Sequence, residues 1–141
     1  EFRVAMGNRV YGCDDCQLIC PWNRYAQITA EDDFHARSQL KDKDLIDLFL
    51  WDETTFLKNT EGSAIRRTGD ERRLRNMAVG LGNAAYDPSI INALEQMKPK
   101  ASELVLEHIN CAITQQEQKN TLNKKTQRLI TAIEKGLPRD A

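Results

Sequence analysis

Three of the four cysteines fall within residues 13–20, at Cys13, Cys16 and Cys20. Their spacing is Cys-x2-Cys-x3-Cys, and Pro21 follows the last of them directly. Thiolates are the ligands of iron–sulfur clusters and of many zinc sites, and a terminal Cys-Pro pair is typical of the bacterial ferredoxin run. The pattern therefore favours an iron–sulfur site, although a four-iron cluster needs one thiolate more than the motif offers.

Two other interpretations of these cysteines remain open. Tetrahedral zinc would need a fourth ligand, and His35 is a candidate, although zinc ligands usually come as two separated pairs. A disulfide framework is weaker, because an odd number of clustered thiols leaves one of them unpaired. If the site is ferredoxin-like, Cys13 and Cys16 bind one cluster and Cys20 reaches a second. We then expect the missing ligands upstream of residue 1, and no intact cluster in this chain alone.

The composition is that of a folded protein with one domain, or one domain plus an appended motif. The chain has 141 residues, a net charge of -1, 40% hydrophobic residues and 29% charged residues. This charge gives no overall preference for nucleic acid or membrane, so any such preference must come from local patches. No apolar run is long enough to cross a membrane, and the clustered thiols favour a reducing cytoplasm.

From Leu40 onward the apolar residues recur at helical spacing, with no sustained strand alternation. The predicted helices are, in order, KDKDLIDLFLW, DETTFLKN from Asp52, GDERRLRNMAVGLGNAAYDP, SIINALEQMK up to Pro99, SELVLEHINCAITQQ and TLNKKTQRLITAIEKG. The last four form two successive pairs of similar length, which resemble a small HEAT-type stack; an irregular helical bundle is the alternative. We therefore predict an all-α fold: an irregular, ferredoxin-type cysteine segment over residues 1–30, mobile without its metal, and a HEAT-like helical domain over residues 31–141.

Arginines are concentrated in the segment SAIRRTGDERRLRN, where only Asp70 and Glu71 oppose them. On a helical wheel Arg72 lies opposite the apolar face of the third helix. Guanidinium groups in such an array can contact successive phosphates and stack on unpaired bases, although a solvated helix face explains the residues as well. The candidate RNA-binding residues are Arg66, Arg67, Arg72, Arg73 and Arg75.

Three stretches together resemble a known family: GNRVYGCDDCQLICPWNRYA, GSAIRRTGDERRLRNMAVGLGNA and LVLEHINCAI. They are similar to the C-terminal part of the epoxyqueuosine reductases, which are cobalamin-dependent tRNA-modifying enzymes with two [4Fe–4S] clusters. The resemblance runs from about Gly7 to about Ile113. The residues after Gln116 carry no motif of the family.

The resemblance implies a reaction, the reductive removal of the epoxide oxygen from epoxyqueuosine in tRNA to give queuosine. It implies that Cys13 and Cys16 bind one cluster and Cys20 the other, and it favours the RNA interpretation of the arginines. The family's cobalamin site and catalytic acid lie in an N-terminal domain, so no residue of this chain is predicted to be catalytic and the fragment alone is expected to be inactive. The expected partners are the tRNA anticodon loop and an electron donor such as a flavodoxin or ferredoxin, with a monomeric parent and no membrane. The alternative is a metal-stabilised helical module for electron transfer or protein binding that does not act on tRNA.

Overall fold

The computed structural model describes residues 2–31 and 38–134, and within them it shows helices and no strand. The predicted all-α class is therefore confirmed. The cysteine segment contains a short helix and a 3₁₀ turn: α1 (Asp15–Leu18) and Pro21–Tyr25. Over residues 38–134, the helical body contains five helices and two 3₁₀ turns: α2 (Leu45–Phe49), α3 (Glu53–Asn59), Ala64–Thr68, α4 (Asp70–Asn83), α5 (Pro88–Met97), Lys98–Lys100 and α6 (Glu103–Glu134).

Helix α4 lies at the centre of the body and packs along α6, with α2 and α3 on another side. The core between them is closed by side chains such as Phe49, Leu94 and Ile109, which are fully buried. A Cβ added at Gly82 would lie 2.9 Å from the Cα of Ala112 on α6. The glycine therefore permits the close approach of the two longest helices of the body.

Aspartates begin three of these helices, as their sequence positions indicate. The carboxylate of Asp44 accepts from the backbone N–H of Asp47, and Asp52 accepts from that of Thr55. Asp87 accepts from the backbone N–H of Ser89, at 2.8 Å. Such a cap satisfies an N–H group that has no partner within its own helix. The predicted helix start at Asp52 is confirmed.

The end of α4 is capped by side chains from α6. Gln116 is fully buried and donates to the carbonyls of Leu81 and Ala84, at 2.8 and 3.1 Å. The Nζ of Lys119 donates to the carbonyls of Gly82 and Ala84, at 2.6 Å each. These carbonyls belong to the last turn of α4, which has no intrahelical donors for them. Burial lowers the pKa of Lys119.

Helix α6 differs from the sequence expectation. Two helices were predicted here, and they form one continuous helix of 32 residues. The junction around residues 117–121 interrupts the apolar period, but it contains no glycine or proline that would end a helix. The second helix pair of the expected HEAT-like stack does not form, so that repeat is not confirmed. No helix among the described residues is both long and apolar enough to cross a membrane.

Candidate cysteine site and basic surface

The three clustered cysteines are free thiols near the start of the chain. Cys13 and Cys16 are exposed and Cys20 is half-buried. Cys16 lies in α1, whereas Cys20 precedes the 3₁₀ turn that begins at Pro21. Over residues 2–31 and 38–134, no group of three or more His, Cys, Asp or Glu side chains is arranged to hold a metal ion. The zinc candidate His35 lies outside the described residues.

The donor set has the right chemistry for an iron–sulfur cluster but supplies only part of one. All three thiols are free and none is fully buried, so their thiolates can reach an incoming iron ion. The fourth cysteine, Cys111, is half-buried in α6, far along the chain from the other three. The described residues therefore fit a cluster in ligand type, but three clustered thiols are one short of the four that a four-iron cluster needs.

The cysteine segment is organised by contacts within itself. Arg9 donates to both carboxylate oxygens of Asp15, at 3.0 Å each, and so ties the residues before Cys13 to α1. The rings of Trp22 and Tyr25 pack with their centroids 5.8 Å apart. These aromatic side chains remain largely exposed. Beyond residue 10, local contacts and not core burial give this segment its shape.

Three of the five predicted RNA-binding arginines are exposed. Arg66 and Arg67 lie on the 3₁₀ turn Ala64–Thr68, and Arg72 lies in the first turns of α4. In the part of the chain that the structure describes, none of the three forms an ion pair. Arg72 also lines a surface groove of about 400 Å³ near Lys100. We call Arg66, Arg67 and Arg72 the basic surface.

Arg73 does not belong to this surface, and its predicted contact with RNA needs correction. Its side chain is only 3% exposed. The guanidinium donates to Asp70 at 2.9 Å and to the backbone carbonyls of Leu48 and Trp51, at 2.5 and 2.9 Å. It also lies over the ring of Phe56, 4.9 Å from its centroid. Arg73 therefore joins α4 to α2 and α3, and its donors point into the fold.

Arg75 is half-buried and has a partner on its own helix. Its Nε and Nη2 donate to the Oδ1 of Asn76, at 3.1 and 2.9 Å. The Nδ2 of Asn76 in turn donates to the backbone carbonyl of Val10, at 2.9 Å. The sequence patterns singled out Arg75 for its charge, yet in the structure it orients an asparagine that contacts the cysteine-bearing segment.

Sequence reasoning missed this contact between α4 and the N-terminal segment. The uncharged residues Asn76, Gly80 and Asn83 face residues 3–10 from one side of α4. Asparagine and glycine within a helix carry no chemical motif. Their spacing of four and then three residues, which places them on one helix face, was the signal in the sequence.

Comparison with known proteins gives a consistent result along the whole chain. An epoxyqueuosine reductase of Vibrio cholerae is 57% identical over 141 residues, which is 100% of this chain and 38% of the relative. Those of Shewanella oneidensis and Escherichia coli K12 are each 59% identical, over 100% of this chain and 37% and 38% of their own length. The resemblance to the epoxyqueuosine reductases is confirmed.

The chain spans less than two fifths of the length of these reductases. No protein-family model matches it. No solved structure matches it either.

Proposed function

We propose that this chain is the C-terminal part of an epoxyqueuosine reductase, which converts epoxyqueuosine in tRNA to queuosine. The observation that carries the proposal is the 57–59% identity to reductases of this name over the full chain. In the proposal, residues 1–30 form the cysteine segment and residues 31–141 form a helical, RNA-contacting domain. The longer protein would hold two [4Fe–4S] clusters and cobalamin, and it would take electrons from a donor such as a flavodoxin or ferredoxin.

The cysteine segment would provide cluster ligands. Cys13 and Cys16 are assigned to one cluster and Cys20 to its neighbour, following the ferredoxin ligand rule. When bound, such clusters supply single-electron transfer. The protein's part is to present the thiolates to the cluster, and the three free, incompletely buried thiols support that role. The remaining thiolates would come from polypeptide outside this chain.

The basic surface would contact the tRNA anticodon loop. Guanidinium groups bind phosphate in two parallel hydrogen bonds and stack on unpaired bases, which single-stranded loops expose. Arg66, Arg67 and Arg72 are exposed and free of ion pairs among the described residues, so their donors are available. Arg73 is left out of this set because its donors are used within the fold.

The cluster assignment is tested by metal analysis of the longer protein after anaerobic purification. We expect Cys13→Ala, Cys16→Ala and Cys20→Ala each to lower the iron content and the absorbance at about 400 nm that iron–sulfur clusters give. Cys111→Ala serves as the matched control and should leave both unchanged. Zinc in place of iron at these sulfurs would reject the redox role. The 141-residue chain alone should bind no stoichiometric four-iron cluster.

The RNA assignment is tested by charge reversal on the basic surface of the longer protein. The triple variant Arg66→Glu, Arg67→Glu, Arg72→Glu should bind an anticodon stem-loop at least about tenfold more weakly. Its salt dependence should also flatten, because fewer phosphates are neutralised. The slope of log K against log salt should fall by about 0.7 for each phosphate that the variant no longer binds.

Lys125→Glu is the matched control for this variant. Ser102 lines the same groove as Arg72 and so marks the position of the basic surface. Lys125 is exposed and lies about 34 Å from Ser102 along α6, at 1.5 Å per residue. The control therefore reverses a charge far from the basic surface. If the triple variant bound the stem-loop with the affinity and the salt slope of the unmodified protein, this surface would be rejected as the RNA contact.

A further inference from the structure

The segment that leads into Cys13 lies on a stripe of α4 made of Asn76, Gly80 and Asn83, which we call the docking stripe. We propose that Asn76 and Asn83 are positioning residues that fix the cysteine site relative to the basic surface. What the cysteine site holds rests on the proposed function, whereas the docking itself stands on contacts within this chain.

Asn83 binds one end of the segment. Its Nδ2 donates to the carbonyl of Arg3 at 2.8 Å and to that of Gly7 at 2.7 Å, so both amide hydrogens are used. The two carbonyls converge because the chain turns between them, and Gly7 has a left-handed φ of 59°. Glycine adopts this backbone conformation without the strain that a Cβ would add. One side chain thus holds both arms of a turn.

Gly80 permits close contact at the middle of the stripe. A Cβ added there would lie 3.3 Å from the Cγ2 of Val10 and 3.1 Å from the Cδ2 of Leu45. Val10 is partly buried against the hydrophobic core. The absence of a side chain at Gly80 therefore lets the segment lie directly against the helix backbone.

Asn76 binds the other end of the segment, next to the cysteines. Its Nδ2 donates to the carbonyl of Val10, while its Oδ1 accepts from Arg75. The bonds from Arg75 fix the orientation of the Asn76 side-chain amide, because they hold its Oδ1 towards the arginine and leave its Nδ2 towards Val10. A second element reinforces the docking, because Arg3 forms an ion pair with Glu107 on α6. This pair lowers the pKa of Glu107.

The docking stripe connects the two parts of the candidate site. Val10 is three residues before Cys13. The Cα atoms of these two residues can therefore be at most about 10 Å apart, even in fully extended chain. Arg72 is four residues before Asn76, about one turn away on the same helix. The helix therefore fixes Val10 relative to Arg72 and so limits the separation between the first cysteine and the exposed arginine. A cluster ligand set and an RNA surface that work on one substrate need such a restricted separation.

Hydrogen exchange tests the docking directly on this chain. In Asn83→Ala and Asn76→Ala we expect the backbone amides of residues 4–10 to exchange about tenfold faster, as the loss of one or two hydrogen bonds predicts. The amides of α6 should exchange at their original rates. Asn92→Ala is the matched control, since Asn92 is an exposed asparagine of α5. Unchanged exchange over residues 4–10 in both variants would overturn the proposal.

A spectroscopic distance tests the positioning. Spin labels are placed on Cys13 and on Arg72→Cys, in a chain with Cys16, Cys20 and Cys111 replaced by serine. In contrast to the mobility that the sequence predicts for a metal-free segment, the docking predicts a narrow distance distribution between the labels. The distribution should broaden in Asn83→Ala but not in Asn92→Ala. A distribution of equal width in all three chains would overturn the positioning role. Neither readout needs metal or RNA, so failure of the proposed function leaves both results interpretable.

Discussion

The helical body and the cysteine segment use apolar residues in opposite ways. In the body, Phe49, Leu94 and Ile109 are fully excluded from water. In the cysteine segment, Leu18 is 77% exposed and Ile28 is 99% exposed. Burial of apolar area is the main favourable term in folding, so the body carries its own stability whereas the segment adds little to it. The segment is held by the docking stripe at one end and by local hydrogen bonds beyond it.

The largest expected effect contrasts two leucines. Leu94→Ala should lower the free energy of unfolding by about 2–5 kcal/mol, because it removes a fully buried side chain and leaves a cavity. Leu18→Ala makes the same chemical change at an exposed site, and it should alter stability by no more than about 0.5 kcal/mol. Urea unfolding followed by circular dichroism measures both. Equal losses in the two variants would mean that Leu18 is buried like the core of the body.

Two neighbouring arginines sharpen the comparison within α4. Arg73→Ala should cost about 2–4 kcal/mol, since it leaves Asp70 and two backbone carbonyls without their charged donor. Arg72→Ala removes an exposed side chain and should change stability by about 0.5 kcal/mol or less. Urea unfolding measures both changes, as shifts in midpoint with no change in the dependence of the unfolding free energy on urea concentration. If Arg72→Ala proved the more damaging, the assignment of Arg73 to the interior would be wrong.

These arginines show why local sequence patterns locate helices better than they locate surfaces. The caps at Asp44 and Asp52 act within three residues, so the sequence alone contains the whole interaction. The burial of Arg73 depends on α2 and α3 covering a second side of α4, and a wheel drawn for one helix cannot include that neighbour. The result is a buried arginine that the sequence placed among the candidate RNA-binding residues.

The same reasoning explains the two features of the site that the sequence did not reveal. The docking stripe depends on contacts between residues such as Asn83 and Arg3, which are distant in the sequence. The capping of the end of α4 depends on Gln116 and Lys119, which reach across from α6 to its carbonyls. Both are tertiary interactions of uncharged or singly charged residues, whereas the cysteine spacing is a local pattern and was visible at once.

The smallest expected effect concerns pH and the cap of α5. Hydrogen bonds from Ser89 lower the pKa of Asp87 in the folded state. A carboxyl with a lowered folded pKa stabilises the fold above its unfolded pKa of about 3.9, and this contribution is lost as the pH falls through the folded pKa. Asp87→Asn keeps an oxygen that can accept the cap hydrogen bond but does not titrate.

We therefore expect the stability of the unmodified chain, relative to Asp87→Asn, to fall as the pH is lowered from 5 to about 2, and to stay constant between pH 5 and 7. Urea midpoints of the two proteins across this range measure the difference. Hydrogen bonds from Thr55 and Thr54 lower the pKa of Asp52. The stability of the unmodified chain relative to Asp52→Asn should therefore fall over the same pH range. Parallel curves for the unmodified and Asp87→Asn chains would show that the carboxylate charge at this helix start contributes nothing to the body.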